Sequence, residues 1–350
     1  MIQVAVIGAG RWGPNLIRNF NNGGRSCVRL VVDSREERLE AVRERFPEVG
    51  LSTDPNAAFA GAHIDAVVIA TPTATHAALA RAALEAGKHV MVEKPLTDGT
   101  ASALELCRLA EQSGRVLLVG HVFLYNPAVR WIKDRIDSGS MGRIYHLAST
   151  RTNLGPIRVD VSAAWDLAAQ DIAIFNHWLG AKPISVSALG HDWINPGIQD
   201  AVFATLRYPG QVLAHLHASW LNPRKVRTIT LVADRQMLTY DDLDQAEPVR
   251  LHDKRVTTDR VKTEYVDTFG GFRSIVHTGD VTIPSIRMGE PLLAECMHFL
   301  DCVEKGVPVL SDGRQGLAVV AVLEAIDQSI AHSGREEAVR GLVSERVATR

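Results

Sequence analysis

A chain of 350 residues, 46% hydrophobic and 22% charged, has the composition of an ordinary globular protein and enough length for two cores. Its 38 basic and 40 acidic residues leave a net charge of -2, which offers no polyanion-binding surface and so predicts no nucleic-acid partner. No apolar run approaches the roughly 20 residues that a membrane span needs, no basic-then-apolar leader precedes the first strand, and Cys27, Cys107, Cys296 and Cys302 lack close metal-ligand spacing. The expectation is a cytoplasmic protein with free thiols, no membrane contact and no metal.

The first element is the apolar run 2–7, followed at once by Gly8-Ala9-Gly10-Arg11-Trp12-Gly13 and a helical stretch at 13–22. A buried strand turning tightly into a helix points backbone N–H groups at a place where a pyrophosphate can lie. The first glycine permits the turn, the second admits the ligand, and the third lets helix and strand pack closely. A second buried strand, 28–33, ends in Asp33, 20 residues beyond Gly13. A carboxylate there accepts hydrogen bonds from the adenosine ribose diol and repels a 2'-phosphate, which favours NAD. Ser34 and Arg35 follow it; Arg35 leaves NADP open, because it can turn toward a phosphate if Asp33 moves.

Helices at 35–46, 74–86 and 99–113 alternate with strands at 65–70, 88–92 and 116–120, the pattern of βαβ units. Thr71-Pro72 lies at a strand's carboxyl end, where open parallel sheets bind ligands. It reads both as a helix cap and as a loop beside a cofactor. Glu93-Lys94-Pro95 occupies the same kind of edge. There an ammonium can bind a substrate hydroxyl and stabilise the alkoxide that forms as hydride leaves, with Glu93 tuning or orienting it. The bland reading is a salt-bridging pair before a turn. A cis Lys94–Pro95 bond would fix the angle of approach.

Beyond about residue 121 the texture changes. A helix at 127–138, a strand at 143–151 and a helix at 168–178 precede strands at 184–190, 200–207, 211–219, 226–233 and 236–240, which read as an antiparallel sheet with one covered face. The segment 251–287 reads as a long loop with weak strands, helices return at 292–305 and 315–333, and a polar tail, 336–350, frays. In the helix that begins near Trp165, Asp166, Gln170 and His177 fall roughly on one side. Asp166 is a good acceptor for sugar hydroxyls or a simple cap, and His177 reads as structural. His215 and His217 share a strand face without a clear third ligand, so packing is the better reading. Trp193 and Trp220 read as packing residues.

Taken together, the early glycine motif, Glu93-Lys94-Pro95 and the Asp166 segment resemble the glucose-fructose oxidoreductase / inositol dehydrogenase / MocA-type (Gfo/Idh/MocA) oxidoreductase family over essentially the whole chain. Gly10-Arg11-Trp12-Gly13-Pro14-Asn15, Asn153-Leu154-Gly155-Pro156-Ile157-Arg158 and Trp220–Arg227 resemble more narrowly a branch acting on sugars and nucleotide sugars. The resemblance implies an α/β fold: an N-terminal Rossmann NAD(P)-binding domain over 1–121, then an α+β domain on a large, predominantly antiparallel open sheet over 122–335. It implies hydride exchange between NAD(P) and a ring secondary hydroxyl, with C3 a candidate. Lys94 carries over as the catalytic-region lysine and Asp166 as a substrate-binding acid.

The cofactor contacts expected are Gly8, Gly10, Arg11, Trp12, Gly13, Asp33, Ser34, Arg35, Thr71, Pro72, Thr75, His76, Glu93, Lys94 and Pro95. Lys94, Asn153, Arg158, Asp166, Gln170 and Arg224 are the expected substrate contacts, with Trp193, Asn195, His215 and His217 adding to the polar and aromatic inventory. Where the family usually has a histidine four residues after the aspartate, this chain has Gln170. An amide holds a hydroxyl but takes no proton at neutral pH. Lys94 then acts alone or with Asp166, or a tyrosine such as Tyr265 enters from elsewhere. The alternatives to a dehydrogenase are a ketosugar reductase, a transient-redox epimerase or glycoside-cleaving enzyme, and a non-catalytic NAD-binding sensor or scaffold. The second-domain sheet implies a homodimer or homotetramer.

Overall fold

The computed structural model describes residues 1–259 and 273–341. Its first half is β1 (Ile2–Ile7), α1 (Gly13–Asn22), β2 (Ser26–Val32), α2 (Glu36–Arg45), β3 (Gly50–Ser52), α3 (Asn56–Ala60), β4 (Ala66–Ile69), α4 (His76–Glu85), β5 (His89–Glu93), α5 (Thr100–Ser113) and β6 (Leu117–Gly120). The strands form one parallel sheet in the order β3-β2-β1-β4-β5-β6. That is the Rossmann order, with the switch point between β1 and β4. Helices cover both faces, so β4 and β6 are buried at every position. The apolar runs of the sequence become these central strands. The short β3 and α3 have no counterpart in the expected elements, because three and five residues are too few to show a period.

The second half adds α6 (Pro127–Asp137), β7 (Ile144–Leu154), α7 (Ala169–Leu179), β8 (Ser185–His191), β9 (Ala201–Arg207), β10 (Leu213–Ser219), β11 (Leu221–Ala233), β12 (Met237–Asp241), β13 (Val249–Asp259), β14 (Arg273–Thr282), α8 (Pro291–Lys305), α9 (Gly313–Ala331) and β15 (Glu337–Ala338). Its sheet runs β14-β13-β12-β11-β7-β10-β9-β8-β15, antiparallel throughout except where β7 lies parallel to β10. Along β9, Val202, Ala204 and Leu206 face the core while Phe203, Thr205 and Arg207 face solvent. This alternation is what a sheet with one covered face requires.

Three expectations are corrected. Within 251–287 the described residues form the paired strands β13 and β14 rather than a loop with weak strands. Past Leu251 none of their described side chains is buried, Val256 and Val276 included, so the alternation that opens β13 at Val249 and Leu251 does not continue. The expected tail from 336 contributes Glu337–Ala338 to the sheet edge beside β8; residues 342–350 lie outside the described residues. The helix α8 does not pack in the second domain. Its stripe Leu292, Cys296, Phe299 and Leu300 joins Val4, Val6, Leu16 and Phe20 in one core, with Phe20 and Phe299 edge to face at 6.1 Å. A close approach also ties α9 to the first sheet: a Cβ at Gly316 would stand 2.6 Å from Val119 Cγ2.

Candidate active site

The glycine loop is built as its sequence requires. Gly8 has φ 104°, and a Cβ there would meet Ala70 O at 2.5 Å. A Cβ at Gly13 would meet Gly8 O at 2.2 Å, so helix α1 can pack on the turn only with glycine in place. At Gly10 the nearest atom is Arg38 Nη1 at 3.7 Å, which leaves room above the loop. The N-terminus of α1 has no side-chain cap; Pro14 carries no N–H and Asn15 N donates to Trp12 O at 3.0 Å, which leaves Gly13 N and the amides of the loop before it to meet a phosphate. Arg11 and Trp12 are exposed beside it.

Asp33 is buried at the end of β2, where its Oδ2 accepts from Ala9 N at 2.8 Å and its Oδ1 from Arg35 N at 3.0 Å. The carboxylate therefore shapes the glycine loop. Arg38, absent from the expected contacts, reaches Asp33 Oδ2 at 3.3 Å. Its place one turn into α2 was the only available signal. Ser34 is exposed at the same edge. These donors, the acidic acceptor and the open loop fit a dinucleotide.

The other wall follows β4 and β5. The Thr75 hydroxyl lies 2.7 Å from Thr71 Oγ1 and 2.8 Å from Pro72 O. His76 is buried, with Nδ1 2.8 Å from Pro95 O and Nε2 2.9 Å from Thr71 O, so it ties the Thr71-Pro72 loop to the Lys94–Pro95 turn. Burial pushes its pKa down despite those carbonyls. The Lys94–Pro95 bond is cis.

Lys94 Nζ donates to Asp166 O at 2.6 Å and lies 3.6 Å from Asp166 Oδ1. Among the described residues its ion pair is with Asp166 rather than Glu93, whose Oε2 only accepts a long bond from Lys94 N at 3.3 Å. Burial pushes the Lys94 amine down from the ordinary lysine range, with Asp166 and Glu93 opposing. Burial drives Glu93 the other way, up to about 7.

Asp166 sits in a single π-helical turn, Ala164–Ala168, that opens into α7. Such widened turns recur at functional sites because they re-aim side chains. Its Oδ1 accepts from Arg158 Nη1 at 3.2 Å and its Oδ2 from Trp220 Nε1 at 3.1 Å. Burial alone would raise its pKa. Lys94, the indole N–H and Arg158 outweigh it and keep the carboxylate ionised. Trp220 is fully buried, as a packing residue should be, but it also aims this donor.

Asn153 stands near the end of β7 and Arg224 in β11. Asn153 donates to Gly155 O at 2.7 Å and accepts from Arg227 Nη2 at 2.5 Å. Arg224 is exposed in the segment where the β11–β7 register shifts between Leu221 and Val226. Gln170 is buried at the start of α7, with Oε1 unpartnered. A buried pair that sequence reasoning missed, Arg151 and Asp171 at 2.7 Å, lies next to it under Phe123.

Several candidates stand elsewhere. His177 lies near the charges of α6, among them Lys133 and Asp137, at the far end of α7. His217 stacks on Phe203 at 4.4 Å on the exposed sheet face, with His215 beside Thr205. Trp193 is exposed and stacks on His191, while Asn195 Nδ2 reaches Arg158 O at 3.4 Å. Tyr265 lies outside the described residues. Among the described residues no group of histidine, cysteine or acidic side chains could hold a metal, and no helix is long and apolar enough to cross a membrane.

A Rossmann sheet with an uncapped glycine loop, facing a lysine–aspartate cluster across a second sheet domain, defines a two-domain NAD(P)-dependent oxidoreductase. Residues 2–121 match the oxidoreductase family with the NAD-binding Rossmann fold, and residues 129–239 match the GFO/IDH/MocA C-terminal domain. The chain belongs to the Gfo/Idh/MocA oxidoreductase family. It is 26% identical over 330 residues to a UDP-N-acetylglucosamine 3-dehydrogenase of Acidithiobacillus ferrooxidans, covering 91% of this chain and 94% of that one. It is 27% identical over 328 residues to a scyllo-inositol 2-dehydrogenase (NAD(+)) of Bacillus subtilis, covering 89% of each. Among solved structures, GenD2 from gentamicin A biosynthesis in complex with NAD shares the fold at TM-score 0.79 and 24% identity, over 96% of each chain.

Proposed function

We propose that the protein is an NAD-dependent dehydrogenase, or in reverse a ketosugar reductase, acting on a ring secondary hydroxyl of a sugar or nucleotide sugar, with C3 the favoured carbon. The observation that carries this reading is the half-buried Lys94 amine held 3.6 Å from an Asp166 carboxylate at the carboxyl edge of the cofactor sheet. An NAD held by the glycine loop and Asp33 would supply the hydride acceptor for oxidation, or in its reduced form the hydride donor for the reverse reaction. In the oxidative direction the substrate C–H bond gives up its electron pair with the hydrogen, and the hydroxyl proton passes to Lys94 Nζ. Burial makes the neutral amine easier to reach than in free lysine. Asp166, fixed by Trp220 and Arg158, orients Lys94 and accepts from a neighbouring hydroxyl. Asn153 and Gln170 supply further polar contacts, and Arg224 meets the anionic part of a nucleotide sugar.

The dehydrogenase relatives above support the hydroxyl and, in one case, the carbon position. Residues 1–121 serve the cofactor and 122–335 the substrate, with α8 returning to the first unit. NAD is favoured over NADP by Asp33. The open sheet face, bearing Leu189, Phe203 and Leu213, pairs two subunits into a homodimer or the halves of a tetramer.

A second reading rests on Gln170, the amide where the family usually has histidine: a transient-redox enzyme, or an NAD-binding sensor. Incubation with NAD and a panel of free sugars, inositols and UDP- or dTDP-sugars separates them when NADH absorbance and product mass are both followed. The proposal expects NADH with a product two mass units lighter, and a loss of about 10²–10⁴-fold in Lys94→Ala with NAD affinity retained. Product without net NADH supports transient redox. No conversion of any compound supports the sensor.

A further inference from the structure

The strand pairing that brings Lys94 to the cleft brings a second side chain with it. Glu93 and Gly120, the last residues of β5 and β6, are register partners, so Lys94 and His121 leave adjacent parallel strands side by side. His121 is wholly excluded from solvent; neither of its ring nitrogens meets a partner at full hydrogen-bond geometry, and the side chain that bears on it is Gln170. Gln170, four residues after Asp166, is also buried, and its Oε1 is unpartnered too. Orphaned buried polar atoms are uncommon because their desolvation goes uncompensated. All three belong to side chains grouped about the part-buried Lys94 amine, whose charge bears on the His121 ring.

The chemistry of the three groups, His121, Gln170 and Lys94, is complementary. A neutral imidazole has one donor and one acceptor, an amide oxygen only accepts, and an ammonium only donates. The ring stays neutral: burial first, then the Lys94 charge, push it down to about 3, with the Gln170 contact opposing. We propose that His121 is a positioning residue for Lys94, donating its N–H to Gln170 Oε1 and accepting a hydrogen bond from the Lys94 ammonium on its other nitrogen, with one bridging water where a gap exceeds hydrogen-bond reach. Gln170 is then not a lost base. It is the acceptor that fixes the tautomer of an imidazole supplied from β6. The groups facing the lysine also include Glu93, Asp166, Arg158 and Arg151, and the neutral ring adds an acceptor that favours the ammonium.

The inference rests on Lys94 as the proton-exchanging group, but its test needs no turnover. Trace acetic anhydride labelling of the folded protein from about pH 6 to about pH 11, with NAD bound, reads the Lys94 titration by peptide mass spectrometry. His121→Phe removes the acceptor, and the labelling midpoint of Lys94 should fall by about one pH unit. Gln170→Leu should shift it the same way by less, and His121→Asn should restore most of it. An unchanged midpoint in a folded His121→Phe protein overturns the proposal. If that variant does not fold, 15N-histidine spectra of the unaltered protein and of Lys94→Met decide. The unprotonated His121 nitrogen should move when the ammonium is removed, and a resonance that stays put overturns the proposal. Absence of sugar turnover would overturn the proposed function and leave these titrations to be read independently.

Discussion

The Asp166 carboxylate meets an ammonium, a guanidinium and an indole N–H, and the three arrive from β5, from the loop after β7 and from the start of β11. Only the indole contact has no charge of its own, so it can be removed without changing the electrostatic sum. Trp220→Phe should keep the fold while leaving one carboxylate lone pair unserved. The Asp166 pKa should then rise toward the ordinary carboxylate range, and kcat/KM should fall by about 10-fold, as expected for loss of a hydrogen bond to a charged group. The pH profile carries the sign. Oxidation needs the neutral amine, so its rate should climb with pH through a Lys94 pKa below the usual lysine value. Reduction needs the ammonium and should decline over the same range. A Trp220→Phe enzyme with unaltered kcat/KM would show that the indole only packs. Lys94 and Asp166 were legible in the sequence because each sits at an element's end. Trp220 was legible only as a buried aromatic, since nothing local reveals a partner 54 positions away.

Among the elements, α8 was visible as a helix but not as part of the first core, because an apolar stripe states that a face is buried and not against what. The same helix carries Glu295, fully buried with both carboxylate oxygens unpartnered. Burial, and then the charge of Glu93, hold its pKa well above the ordinary glutamate value. A carboxyl whose folded pKa is raised is most favourable to stability below its unfolded pKa, about 4.3, and costs up to about 1.4 kcal/mol per pH unit as pH climbs toward the folded pKa. Glu295→Gln cannot ionise and should flatten that slope. Chemical denaturation at about pH 5 and about pH 8 should show the glutamine variant gaining on the parent as pH rises. Parallel stabilities at the two pH values would contradict it. The β1–α1 turn was readable in detail, since each glycine answers a steric demand. The pair β13–β14 was not, because Val249 and Leu251 are the only buried positions among its described side chains, too few to show a hydrophobic period.

At the scale of the whole molecule, two sheets with different strand directions share helices: α8 lies on the first, and α9 bridges both. The division near residue 121 was legible from the change in strand pattern, whereas the chain's return across it was not. The outer face of the second sheet leaves Leu189 60% and Phe203 46% exposed as register partners, a pairing suited to a subunit contact. Leu189→Glu should therefore shift light-scattering mass from an oligomer to a monomer at micromolar concentration, and an unchanged oligomer would place the interface elsewhere. The central claim is that hydride leaves a ring carbon of the substrate while Lys94 takes the hydroxyl proton. The most direct measurement is a single-turnover reaction of NAD with a nucleotide sugar deuterated at C3, with cofactor and sugar masses read together. Deuterium should appear in the reduced cofactor with a 3-keto sugar in equal amount, and both should form about 10²–10⁴-fold more slowly with Lys94→Ala. Deuterium retained on the sugar, or transfer undiminished without Lys94, would contradict it.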